Sequence, residues 1–153
     1  MATPTVVKGV QGLKELVGQQ IGYSDWHEVT QEQVNLFADA TGDHQWIHVD
    51  PERAKKGPFG GPIAHGYLTL ALVPYFLPTI LVVDGISMGV NYGCEKVRFP
   101  SPVPVGSKVR LGAAVEAVDD VAGGVQATIT ATIEVEGAPK PSCVAQVVYR
   151  YYE

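Results

Sequence analysis

At 153 residues the chain has the size of one domain and can bury a core of its own. Its net charge of −5, with no block of like charges, argues against a general affinity for nucleic acid, because neutralising phosphates needs a basic surface. Only 18% of residues are charged against 46% hydrophobic, which is lean for a soluble monomer and predicts apolar surface covered by a second copy of the chain.

The first twenty residues read as peripheral. "MATPTVVKGVQGL" has no apolar run of signal-peptide length, and "LKELVG" suits a short helix stopped at Gly18. "GYSDWHEVT" alternates weakly, as a short strand does. A clear helix follows in "TQEQVNLFADATG". Thr30 is its N-cap, Gln33 completes a capping box, and Val34, Phe37, Ala38 and Thr41 share one face. Gly42 is its stop. A second start signal comes at once, with Asp50 as cap, Pro51 at the first helical position and "ERAKK" continuing for about one turn. The Gly/Pro-rich loop "GPFGGPIAHG" then leads into "YLTLALVPYFL". That stretch has almost no polar residues, so it reads as a central helix covered on most sides. The wider run from Ile63 to Val83 is broken by Pro74 and Pro78 and carries His65, which fits a buried helix and not a membrane span.

The second half changes character. "ISMGVNYGCEKVRF", "SKVRLGAAVEAVDD", "VQATITATIEVEG" and "SCVAQVVYRYYE" are rich in Val, Ile, Thr and Tyr and read as strands. "VQATITATIEVE" alternates with period two, as a half-buried antiparallel strand should. "FPSPVPVGS" is a Pro-rich turn and "DDVAGG" a hairpin loop. Cys94 and Cys143 have no metal spacing and read as small core residues. One long helix buried by four or more antiparallel strands makes an α+β fold, a sheet wrapped around a helix, over a single domain at 1–153. The composition points to the cytoplasm.

The segment "FADATGDHQWIHVDPERA" concentrates titratable groups at a helix end. Asp43 and His48 are five positions apart and would point well away from each other on a continuous helix. Because one helix stops at Gly42 and the next starts at Asp50, both lie in a turn, where a carboxylate and an imidazole can face one small volume. Such a pair can hold a water between two proton acceptors, and one member can later return a proton. That equips a site to add water to a double bond or remove it. Proton transfer beside a carbonyl builds negative charge on its oxygen, which needs fixed donors. The first-turn N–H groups of the helix entered at Gly66 have no internal partner, and a glycine lets a ligand approach the main chain.

These residues, with "GGPIAHGYLTLAL" and "KVRFPSPVPVGSKV" behind them, resemble the MaoC-like (R)-specific enoyl-CoA hydratases, which have a hot-dog fold. The likeness covers roughly Thr30 to Val109 closely. It implies that Asp43 and His48 are catalytic and that the Gly66 N–H is the oxyanion donor. His65, Trp46 and Gln45 join Gly66 as candidate substrate-binding residues. It implies reversible syn hydration of trans-2-enoyl-CoA to (R)-3-hydroxyacyl-CoA, without metal or redox cofactor, by a homodimer whose sheets join edge to edge; acyl-carrier protein is a second possible carrier. Two departures stand out. The family's Asp-x-Asn-Pro-(Leu/Ile)-His reads "DHQWIH" here, so Gln45 and Trp46 replace Asn and Pro. A helix Ser that orients the catalytic Asp in some relatives falls on Pro74, leaving Thr69 and Tyr67 as the nearby hydroxyls.

Plainer roles compete at several positions. His44 reads as a surface group, because a metal here would find Asp43 and His48 but no further obvious ligand. His65 can fix its loop by hydrogen bonding, and Trp46 can pack beneath the loop or line the acyl pocket. Arg53, Lys55, Lys56, Lys96 and Arg98 are either solvated charges or contacts to CoA phosphates. Two other functions remain: a hot-dog thioesterase, which would want an acidic residue in the stretch from Gly66 to Pro78 where there is none, and a non-catalytic acyl-CoA-binding protein.

Overall fold

The computed structural model describes residues 2–153. The four strand-like stretches of the second half become β5 (Met88–Arg98), β6 (Lys108–Val121), β7 (Gly124–Val135) and β8 (Pro141–Tyr152). They pair antiparallel, together with β2 (Gln20–Tyr23) and β3 (His27–Glu28), in a sheet ordered β2-β6-β7-β8-β5, with β3 also on β6. Strand β7 shows how the sequence makes the sheet. Val125, Ala127, Ile129, Ala131 and Ile133 are fully buried, and the residues between them point outward. That outer face is bound by polar cross-strand pairs: Arg110 to Glu134, Arg150 Nε to Gln126 Oε1 at 3.0 Å, and Thr130 Oγ1 to Glu116 Oε1 at 2.9 Å. The β6–β7 hairpin closes through Ala122 and Gly123, and only glycine takes the latter's φ of 82° without strain.

The apolar face wraps the helical run. Leu68, Leu72, Val73, Phe76, Leu77 and Ile80 are buried there against Val109, Leu111 and Val115. Each such burial contributes roughly 1.5–3 kcal/mol, so this contact is a large part of what holds the fold together. The run is not one helix. It divides into α5 (Gly66–Ala71), α6 (Val73–Phe76) and a 3-10 turn at Leu77–Thr79. Pro74 and Pro78 have no N–H to continue the ladder, which accounts for both breaks.

The N-terminal segment is not peripheral. Strand β1 (Thr5–Lys8) pairs in parallel with β4 (Leu81–Asp84), and α1 (Gly9–Lys14) puts Leu13 into the core. The helix therefore starts and ends earlier than "LKELVG" suggests, because the ladder to β4 delivers the chain to Gly9, whose φ is 62°. Gly18, at φ 84°, instead donates its N–H to the Val115 carbonyl at 2.8 Å. Cys143 is buried as expected, whereas Cys94 is exposed on the edge strand β5.

Candidate active site

Local chemistry sets the site's frame. Helix α2 (Gln31–Thr41) begins where the Thr30 hydroxyl accepts the Gln33 N–H at 3.1 Å. The reciprocal half of a capping box is missing, because the Gln33 side chain pairs with His27 Nε2 at 3.0 Å. The helix ends on Gly42, left-handed at φ 84°, whose N–H reaches the Ala38 carbonyl at 2.8 Å. Asp43 follows, exposed, its Oδ1 accepting the Gln45 N–H at 3.3 Å. The expected turn then tightens into a single helical turn, α3 (Trp46–Val49), which carries His48. Asp50 caps α4 (Pro51–Lys55) by accepting the Arg53 N–H at 3.1 Å. Gln31 Nε2 donates to the His48 carbonyl at 2.8 Å and ties α3 back to the start of α2.

His48 is 7% exposed, and its Nδ1 lies 2.7 Å from the Ile63 carbonyl oxygen. A carbonyl can only accept, so Nδ1 carries the proton and Nε2 of the neutral ring is a bare lone pair. His65 is 2% exposed, and by the same reasoning its Nε2 donates to the Asp43 carbonyl at 3.0 Å. The two imidazoles stack, with centroids 3.9 Å apart and planes 23° from parallel, and the Phe37 ring covers His65 at 4.8 Å. Asp43, His48 and His65 each place one polar side-chain atom within 4.8 Å of the other two. Two hydrogen bonds of about 2.8 Å span that gap with one water between them. His65 is thus a third potential metal ligand beside Asp43 and His48, one that the spacing in the sequence did not reveal because it lies on another segment.

Gly66 opens α5 beside this cluster. A Cβ at Gly66 would lie 3.1 Å from the Phe99 ring, so the lack of a side chain is what lets Phe99 sit there. A groove of about 320 Å³ passes this point, lined by Phe59, Ile63, Gly66, Thr69, Phe99 and Ser142. A larger apolar cavity, about 390 Å³, lies elsewhere between Pro74, Leu77, Leu81, Ile86 and Tyr149. Neither is lined by Asp43, His48 or His65, but only the smaller one reaches Gly66, the residue next to His65, so the smaller groove is the better candidate.

The other expected residues fall as follows. Trp46 is half-buried, with the Arg53 guanidinium 4.4 Å above its ring and no room for a Cβ on Gly57, whose position is 2.9 Å from that ring. Gln45 contributes its main-chain N–H to Asp43. Thr69 spends its hydroxyl on the His65 carbonyl at 3.3 Å, and Tyr67 is 73% exposed. Neither stands in for a serine at the Pro74 position by bonding the Asp43 carboxylate. His44 pairs with Asp39 at 2.9 Å on the surface. That hydrogen bond raises the His44 pKa, opposed by slight desolvation and assisted by the charges of Asp39 and Asp43. Lys55 meets Glu52 at 3.4 Å, and Arg98 turns back on the Val97 carbonyl at 2.8 Å. The His48–His65 stack and the Phe99 contact carry no local sequence signal, since each joins residues from separate elements.

Residues 13–137 match the MaoC like domain. The chain belongs to the MaoC-like family. It is 56% identical over 145 residues to the 3-hydroxyacyl-thioester dehydratase Z of Mycobacterium tuberculosis (strain ATCC 25618 / H37Rv), covering 94% of this chain and 96% of that one. Among solved structures, the R-hydratase PhaJ1 from Pseudomonas aeruginosa shares the fold at a TM-score of 0.75 and 23% identity, covering 95% and 86% of the two chains. The (R)-hydratase from A. caviae involved in PHA biosynthesis matches at 0.67 and 26% identity, over 87% and 94%. This MaoC-like chain has the hot-dog architecture and is a hydro-lyase of the dehydratase and hydratase class. Among its described residues no helix is long and apolar enough to cross a membrane.

Proposed function

We propose that the chain is an (R)-specific enoyl-thioester hydratase, working reversibly on trans-2-enoyl-CoA or the corresponding acyl-carrier-protein thioester. The observation that carries this reading is the approach of the Asp43 carboxylate and the His48 imidazole to within 4.8 Å, with His48 fixed in one tautomer by Ile63. A water held between them loses a proton to this pair as its oxygen bonds the β-carbon. The π electrons move toward the thioester carbonyl, whose oxygen is met by the Gly66 N–H, and the pair returns a proton to the α-carbon. Dehydration is the reverse. The mycobacterial relative is a 3-hydroxyacyl-thioester dehydratase, which supports an acyl thioester as the substrate class.

We further read the protein as a single-domain cytoplasmic homodimer. Edge strand β5 exposes Met88, Val90 and Tyr92, at 53%, 38% and 59%, where a second copy can continue the sheet. The test follows crotonyl-CoA and (R)-3-hydroxybutyryl-CoA with the wild-type protein. Loss of the enoyl absorbance without release of free thiol, yielding the (R) product, is expected. Thiol release at the same rate would replace this reading with a thioesterase.

A further inference from the structure

We infer that His65 is a positioning residue that holds both members of the acid–base pair at once, an inference that rests on the Asp43–His48 reading. Three contacts converge on it. Its Nε2–H holds the Asp43 main-chain carbonyl at 3.0 Å, so the residue bearing the exposed carboxylate is anchored from beneath. Its ring lies against the His48 ring at 3.9 Å, opposite in role to the Ile63 carbonyl: one fixes the plane of that imidazole, the other its rotation within the plane. Its own peptide ends in the Gly66 N–H. That peptide is held as well, because the His65 carbonyl accepts the Thr69 N–H at 3.1 Å and the Thr69 hydroxyl at 3.3 Å. Asp43, His48 and Gly66 lie in a loop, in α3 and at the start of α5, and His65 touches or adjoins each.

The unused half of the ring separates positioning from mere filling. His65 is 2% exposed and its Nδ1 has no donor among the described residues. A buried acceptor without a donor destabilises the fold. Phenylalanine would fill the same space between Phe37 and His48 without that defect. What it would lack is the N–H to Asp43. The charged and titratable groups facing His65 are the Asp43 carboxylate and the His48 imidazole, with the Phe37 ring on the remaining side. Nδ1 is enclosed by protein, so His65 acts through its neighbours and not by touching substrate.

The experiment uses the full chain with His65→Phe, His65→Gln and His65→Asn, isotope-labelled on histidine for NMR. His65→Phe keeps the stack and loses the donor. His65→Gln places an amide N–H near the position of Nε2 and loses the ring, whereas the shorter Asn side chain falls short. A displacement of about 1 Å in a reacting group lowers turnover by up to about 100-fold. Turnover of crotonyl-CoA is therefore expected to fall by about 10- to 100-fold in His65→Phe and His65→Asn, and less in His65→Gln, with KM changed less than about three-fold. The His48 resonance should keep its ring-current shift in His65→Phe and lose it in His65→Gln, at melting temperatures near wild type. Wild-type turnover in all variants overturns the inference. So do losses confined to KM, losses that track only the unfolded fraction, or a His48 resonance unchanged in His65→Gln. If wild-type protein itself does not hydrate crotonyl-CoA, the Asp43–His48 reading fails, while the NMR result still decides whether His65 holds His48. His65→Gln alone decides the matter where His65→Phe does not fold.

Discussion

Strand β7 and the segment from Gly42 to Gly66 hold their places by different means. In β7 every second side chain is buried and nearly every residue is paired to a strand on both sides, so each is fixed many times over. Between Gly42 and Gly66 the elements are one helical turn and one five-residue helix, and position depends on a few single contacts. They include Gln45 N–H to Asp43, Gln31 to the His48 carbonyl, His48 to Ile63, His65 to the Asp43 carbonyl, and the main-chain bonds of Ile63 to Ile47 and Ala64 to Val103. The regular sheet and the irregular segment that holds the proposed acid–base pair can therefore be perturbed separately.

The sharpest separation comes from Asp43→Asn and His48→Gln. Each should lower crotonyl-CoA hydration by about 10²- to 10⁴-fold, the usual contribution of positioned acid–base groups, with the thermal midpoint nearly unmoved. Equal hydration by both variants would remove the assigned chemistry. Ile129→Ala should do the opposite, costing about 2–5 kcal/mol in denaturant unfolding while activity per folded molecule survives. Gly66→Ala tests where the two regions meet. The new Cβ would lie 3.1 Å from the Phe99 ring, and that ring, 42% exposed, can yield. Stability should change little, and kcat/KM should fall about ten-fold as the donor is crowded. Thr30→Ala should cost about 1 kcal/mol by removing the cap that starts α2.

The smallest effect belongs to His44. Its pKa is raised above 6.5 by Asp39, so the pair stabilises the folded state below the ordinary histidine pKa. That contribution disappears as pH climbs through the raised value. Asp39→Asn should return the His44 NMR titration toward 6.5 and leave hydration intact. An unchanged titration would show that Asp39 is not the cause.

What could be read from the sequence follows the range of each interaction. The alternation in β7, the Thr30 cap, the left-handed Gly42 and the Asp50–Pro51 start are set within a few residues, and all form. The approach of Asp43 and His48 was readable for the same reason, since two closely spaced helix signals force a turn between them. Gln33 escaped local reading because His27, on another element, competes for its side chain. The pairing of β1 with β4 and the stacking of His65 on His48 join distant parts of the chain, and no local pattern specifies them. The division of the helical run was signalled by Pro74 and Pro78, although its hydrophobicity argued for one piece.

The ladder between Thr5–Lys8 and Leu81–Asp84 bears on the order of assembly. During synthesis β1 must wait for a partner made much later. Parallel pairing across so long a loop is slow, because the closure must be completed before any bond rewards it. Nascent chains would thus hold β1 unpaired until β4 has been made, and a substitution that weakens this ladder would slow maturation more than its effect on the finished fold suggests.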